Sequence, residues 1–339
     1  MASTSQTESY VVVTPNGGWK ITKTLLQTFV CDGTYEPGLA LAVNDNDWVV
    51  GWSNVRSYFG GCNRHAFLIR PGQRIRDLTS HALDAEAVDV NNQGTVIGTT
   101  DGRAFRWSLT TGLQYLPQVA GVAGVPTAIN AGGDIVGTVA TATGRHAVLW
   151  PAAGGVVDLA PMNSATAIAD DGQILGVAPL SPAGNHAVVR YPDGELHDLG
   201  TQGAGAEATG FLYGYYVGNY LDSSREPHAV IMKWEGPPWI PIPTLGGLVN
   251  QVHDSRDGAA VGWSDTFNPE GGTSSREAFF WSAASGSLRL NFSPSCGGDD
   301  NGGWSEARAI NRRRATVVGG EIIPCVGFRP VMWKVARLP

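Results

Sequence analysis

Glu207, His253 and Arg308 are residues of this 339-residue chain whose types suit acid–base chemistry and whose places break a local pattern. A carboxylate and an imidazole exchange protons near neutral pH, and a guanidinium holds an anion or a developing oxyanion. With Glu207 or His253 as acid or base and Arg308 as anion stabiliser, the reaction would be that of a cofactor-free lyase, isomerase or cyclase. No cofactor is expected. Gly203-Ala204-Gly205 with Gly210 does not match the dinucleotide fingerprint, and no H-E-x-x-H or nucleophile elbow is present. Gln251 and Asp254 add polar groups beside the candidates. Trp52, Tyr58, Tyr220, Trp263 and Trp304, with Arg276, supply the aromatic walls and isolated charge of small-molecule sites.

A repeat positions these residues. Ala128-Ile129-Asn130 is followed by a turn, Ile135-Val136-Gly137, a loop, His146-Ala147-Val148-Leu149-Trp150, a glycine turn and Val156-Val157-Asp158-Leu159. The glycine of the second element recurs at Gly51, Gly98, Gly137, Gly176, Gly218, Gly262 and Gly319. The alanine of the third recurs at Ala66, Ala104, Ala147, Ala187, Ala229 and Ala278, with Pro330 in the seventh copy. Spacings run from 38 to 57 residues. Four short apolar segments per copy, separated by turn residues, are the unit of a propeller blade. Composition agrees: 45 Gly, 20 Pro and only 16% charged residues leave little material for surface helices.

The fold class read from this pattern is all-β, a β-propeller of seven four-stranded blades closed by an N-terminal strand, with eight blades as the alternative. The single domain 1–339 divides at about 36–80, 81–121, 122–162, 163–202, 203–246, 247–296 and 297–339. The chain ends six residues after Trp333, so the seventh copy lacks a full fourth strand. Tyr10-Val11-Val12-Val13, an Asn16-Gly17-Gly18 turn and Trp19-Lys20-Ile21-Thr22 resemble the third and fourth elements of a blade. Residues 8–30 are therefore expected to complete the last blade.

His65, His146, His186 and His228 hold the same place in different copies, so the repeat spreads them around the ring. A metal ion needs three or four ligands about 2 Å away. These histidines are expected to be structural, bonded to neighbouring backbone, and no metal site is expected. Cys31 and Cys62 are 31 residues apart, and Cys296 and Cys325 are 29 apart. In each pair, one cysteine precedes a first strand and the other lies between second and third strands. All four then share one face of neighbouring blades. Two disulfides, Cys31–Cys62 and Cys296–Cys325, are the preferred reading. Free thiols and a four-cysteine zinc site are the alternatives.

Copies two to four are lean. Copies five, six, seven and one carry insertions: Asn219 to Pro227, Ser264 to Glu277, Ser293 to Glu306, and Ser53 to Arg64. On the cysteine-bearing face these would wall a pocket at the channel mouth. On the innermost strand, Thr127 and Thr166 are succeeded by Glu207, Gln251 and Arg308, and the usual Ile or Val becomes His253, followed by Asp254. Polar groups so close to an axis either bond one another or meet a ligand.

A net charge of −7 argues against a nucleic-acid partner. Arg312 to Arg314 reads as a solvated turn. No apolar run approaches the roughly 18 residues of a membrane span. Met1 to Tyr10 is polar and is not a signal peptide as written. The compartment is extracellular if the cysteines pair and a signal was removed, and cytoplasmic otherwise.

The A-x-A-I-N and H-A-F/V-x-W patterns resemble the HAF-repeat family of bacterial proteins. Here they stand as His65-Ala66-Phe67-Leu68, His146-Ala147-Val148-Leu149-Trp150, His186-Ala187-Val188 and His228-Ala229-Val230. The resemblance covers nearly the whole chain and implies a propeller-like fold and an exported location. It transfers no catalytic residues. Two functions remain open: a small-molecule-recognising propeller with a pocket formed by blades 5, 6, 7 and 1, including the enzyme above, or an extracellular or surface module that binds a glycan or protein without catalysis. In the second, Trp263 and Trp304 would be stacking platforms.

Overall fold

The computed structural model describes residues 7–31, 38–58, 60–119, 121–181, 184–266, 275–291, 304–312, 315–323 and 327–339. Seven antiparallel sheets stand in a ring, a seven-bladed β-propeller, which sets aside the eight-bladed alternative. The innermost strands are Gly38–Val43, Ala85–Val90, Val125–Ile129, Ser164–Ile168, Gly205–Leu212, Asn250–Arg256 and Ser305–Ile310. Blades 1 to 6 take four strands each in chain order. Blade 7 runs Ser305–Ile310, Thr316–Ile323 and Gly327–Arg337, and then receives the N-terminal strand Gly17–Leu25, paired along its length from Trp19↔Arg337 to Leu25↔Val331. Thr7–Thr14 adds a fifth, outermost strand. The two N-terminal segments are therefore a fourth and a fifth strand, not a third and a fourth. The last strand, Gly327–Arg337, already fills the third place.

Every inner strand is bulged at the same point. One residue is skipped in the register with the second strand: Leu41, Val88, Thr127, Thr166, Thr209, His253 and Arg308. The bulge brings the inner strand's carbonyl onto the marker glycine opposite. A Cβ on any of those seven glycines would lie 1.9–2.2 Å from that oxygen, which excludes every other residue. The glycine signature thus records a close backbone approach, not a turn.

Hydrophobic cores fill the gaps between blades. Phe67, Phe105 and Val318 share one, Trp333 and Phe280 another, and Trp239 and Leu175 a third. The asparagines of the A-I-N motif clamp neighbouring blades at the hairpin joining first and second strands. Asn44 Nδ2 donates to Asn91 O at 2.9 Å, Asn91 Nδ2 to Asn130 O at 3.0 Å, and Asn130 Nδ2 to Ala169 O at 3.4 Å. Each Oδ1 meanwhile accepts an amide of its own turn, such as Trp48 N at 3.0 Å and Thr95 N at 3.0 Å. The same device closes the ring. Asn311 Nδ2 and Thr316 Oγ1 reach Asp47 Oδ1 at 3.0 Å, and Lys334 Nζ reaches Asp47 Oδ2 at 3.2 Å. On the closing strand, buried Lys23 pairs with buried Glu321 at 3.2 Å and donates to Asn291 at 3.3 Å.

The motif histidines are structural, but their main partners are aspartates rather than backbone. His65, His146 and His186 meet Asp77, Asp158 and Asp198 of the fourth strands at 2.8, 3.3 and 2.9 Å. Blade 5 has no such aspartate in its fourth strand, and His228 takes Asp222 at 3.2 Å. Among the described residues no cluster of His, Cys, Asp or Glu could hold a metal ion.

Candidate functional site

The upper face of the ring carries the links from each fourth strand to the next blade, and the lower face carries the hairpins joining first to second strands. Cys31 and Cys62 form a disulfide on the upper face. It ties the segment leaving the closing strand to the third strand of blade 1. Cys296 and Cys325 lie outside the described residues.

A cavity of about 170 Å³ opens on the upper side among blades 4, 5 and 6. Its polar lining is Glu207, Gln251, Asn219 and Asn185, and its apolar lining includes Val177, Leu221 and Pro227. The lining brings in blade 4 and takes nothing from blades 7 and 1. Two neighbours hold the polar groups. Asn219 Nδ2 donates to Glu207 Oε1 at 3.2 Å and to Val252 O at 2.9 Å, while Val252 N returns a bond to Asn219 Oδ1 at 2.8 Å. Trp263 Nε1 donates to Gln251 Oε1 at 3.0 Å. Trp263 is 5% exposed and carries the Arg276 guanidinium 3.7 Å above its ring, so it is a wall behind Gln251 rather than an open platform.

The bulges change the alignment of the candidate residues. Thr127, Thr166, Thr209, His253 and Arg308 are equivalent, whereas Glu207 and Gln251 stand two residues earlier, level with Ser164 and Glu306. This corrects the equivalence of Glu207, Gln251 and Arg308. At Thr127, Thr166 and His253 the bulged side chain is an inter-blade bridge. Thr127 Oγ1 donates to Ala165 O at 2.8 Å, and His253 Nδ1 donates to Ala307 O at 2.9 Å in the same way. Burial, with the Arg308 and Arg276 charges nearby, pushes the His253 pKa down to about 3. At neutral pH this ring is uncharged. Its one proton is committed to a carbonyl, so His253 has no proton to donate as an acid. Arg308 is closed onto Glu306, whose own carboxyl burial pushes up. The three catalytic candidates thus do not converge on one reacting point: Glu207 lines the cavity, His253 bridges blades, and Arg308 is ion-paired. Glu306 was missed in the sequence. Its signal was an acidic residue two places before a bulge, as in Glu207.

Asp254 belongs to the lower mouth. Its carboxylate accepts Ser255 N at 2.8 Å and Ile310 N at 3.0 Å and faces Arg256 at 3.7 Å. Asp89 is its counterpart, accepting Ile129 N at 2.9 Å. Asp89 and Arg256, with Asp45, Asp170 and Arg312, line a cavity of only about 70 Å³ there. Of the aromatic candidates, Trp52 sits under the Arg64 guanidinium at 5.3 Å, Tyr220 stacks on His228 at 5.0 Å, Tyr58 is 96% exposed, and Trp304 O accepts Ile322 N at 2.7 Å. None of these four lines the upper cavity. Of the insertions, residues 59, 267–274 and 293–303 lie outside the described residues.

No family model matches the chain, and no curated protein matches it. Solved structures match its fold. The β-propeller domain of the Trilobed protease from Pyrococcus furiosus, described as having an open velcro topology, aligns with a TM-score of 0.52 at 11% identity over 89% of this chain and 98% of that one. A puromycin hydrolase aligns with a TM-score of 0.51 at 10% identity over 93% of this chain and 56% of that one. TolB from Acinetobacter baumannii aligns with a TM-score of 0.49 at 10% identity over 84% and 79% of the two chains. At such identities the likeness is one of fold alone.

Proposed function

We propose that this propeller is a small-molecule-binding protein whose ligand enters the upper cavity beside Glu207 and Gln251. The observation that carries the reading is the lining of that cavity. Two polar side chains are fixed by second residues and set against an apolar wall, the composition of a preorganised ligand site. Its volume is more than twice that of the lower cavity. Glu207 accepts hydrogen bonds when ionised, so the ligand brings hydroxyl or amine donors to it. Binding is favoured over catalysis because His253 and Arg308 are engaged in the frame. The Cys31–Cys62 disulfide supports an oxidising compartment for the working protein. Membership of the HAF-repeat family is part of the same proposal, supported by the clamp roles of its histidines and asparagines.

The test is a thermal-shift screen against amino acids, primary amines, monosaccharides and hydroxy acids, followed by calorimetric titration of the best compound. Glu207→Gln and Gln251→Ala should each weaken it by about tenfold or more, the value of a lost charge-assisted bond. Unchanged affinity in both would remove the upper cavity from the function. Conversion of the compound by the wild type, lost in Glu207→Gln, would restore the lyase, isomerase or cyclase reading.

A further inference from the structure

We infer that the lower face of blades 4 and 5 is a second binding site, a platform for a neutral oligosaccharide. Among the described residues five aromatic side chains are markedly exposed, and three of them, Tyr213, Tyr215 and Trp234, belong to blade 5. Trp234, 47% exposed, lies flat on His197, with 3.3 Å between ring centroids and 8° between planes. His197 Nε2 also donates to Trp234 O at 2.9 Å. The imidazole therefore fixes the indole from behind and leaves its other side toward solvent. Tyr191 stands beside it at 5.9 Å and 54°, and the Tyr191 and Tyr216 hydroxyls meet at 3.3 Å.

This is the chemistry of a sugar site. A pyranose ring lays its face of C–H groups on a flat aromatic ring and offers hydroxyls at its edge to phenols and carboxylates. Asp193 and Glu195 follow Tyr191 in the chain and Glu235 follows Trp234, against Arg190 and Lys233, and the Asp171 charge acts on Tyr216. The negative balance repels uronate and sulfated chains and suits neutral ones. A proline-rich peptide fits less well. A ring inserted between two others needs about 7 Å, two contact distances of ~3.5 Å, and Trp234 and Tyr191 stand closer than that.

The experiment is affinity gel electrophoresis of the full chain in hydroxyethyl cellulose, galactomannan or arabinoxylan, with polygalacturonate as the anionic comparison. At least one neutral polymer should retard the wild type, and polygalacturonate should not. Trp234→Ala should weaken retardation by about tenfold, and His197→Ala, which keeps the indole but removes its support, by less. Both residues lie on the surface, and melting curves confirm that the variants are folded. Trp234→Ala retains whatever binding the upper cavity shows, so the two sites fail separately. Retardation by no neutral polymer, or equal retardation of wild type and Trp234→Ala, overturns the assignment. Binding of a decaproline peptide that Trp234→Ala abolishes would give the face to a peptide instead.

Discussion

Removing the Cys31–Cys62 disulfide should loosen the joint at which the ring closes. The bond spans a sequence separation of 31 residues. The loop-entropy relation gives about 3.7 kcal/mol of stabilisation at 25 °C for that length, acting through the unfolded chain. The location adds a native-state role. Cys31 leaves the strand Gly17–Leu25, which belongs to blade 7, while Cys62 begins the third strand of blade 1. Their bond therefore holds the two ends of the ring together on the upper face, while the Asp47 cluster holds them on the lower. For 339 residues an unfolding entropy of about 0.7 kcal/mol per kelvin converts the loss into a fall in Tm of about 5 °C. The assay is scanning calorimetry of the wild type and the Cys31→Ser, Cys62→Ser and double variants without reductant. All three variants should fall together, because either single change breaks the cross-link. A shift within 1 °C of zero, or a single variant much worse than the double, would refute the cross-link account. The second result would place the loss in the packing of the remaining thiol.

Two other outcomes follow from the frame. Gly176→Ala sets a Cβ 2.0 Å from Ser164 O and 2.8 Å from Met162 Cε, and the backbone cannot yield at a bulge, so a loss of about 3 kcal/mol is expected in urea unfolding. A loss under about 0.5 kcal/mol would mean that the bulge is adjustable. His253, held near pKa 3 in the fold and near 6.5 when unfolded, contributes stability above pH 6.5 that is lost as the pH falls toward 3. The full shift corresponds to at most about 5 kcal/mol, reduced by solvent screening at this partly exposed ring. His253→Gln should therefore flatten the acid limb of urea midpoints between pH 6.5 and 3, and parallel curves would sink the assignment.

The repeat was legible because its residues answer local demands. Gly51 and its six counterparts meet a carbonyl within their own blade, and Ala66 and its counterparts are buried where the face of each blade packs on the next in the same way. Such demands recur once per blade and leave a period in the sequence. The need for a closing strand was legible for the same reason, since the last copy was visibly short. The disulfide followed from placing Cys31 and Cys62 on one face.

What the tertiary structure decided lies between blades. A single skipped residue per inner strand moved Glu207 and Gln251 out of line with Arg308, because a bulge changes which positions are equivalent without changing any residue type. The partners of His253 and Asn44 are carbonyls one blade away, about 40 to 55 residues along the chain, and no local pattern points to them. Trp263 looked like a platform by its type, yet packing turned it into the wall behind Gln251. Trp234 and His197 drew no notice in the sequence, 37 residues apart, because only the stacking of blade 5 on blade 4 lays one ring on the other.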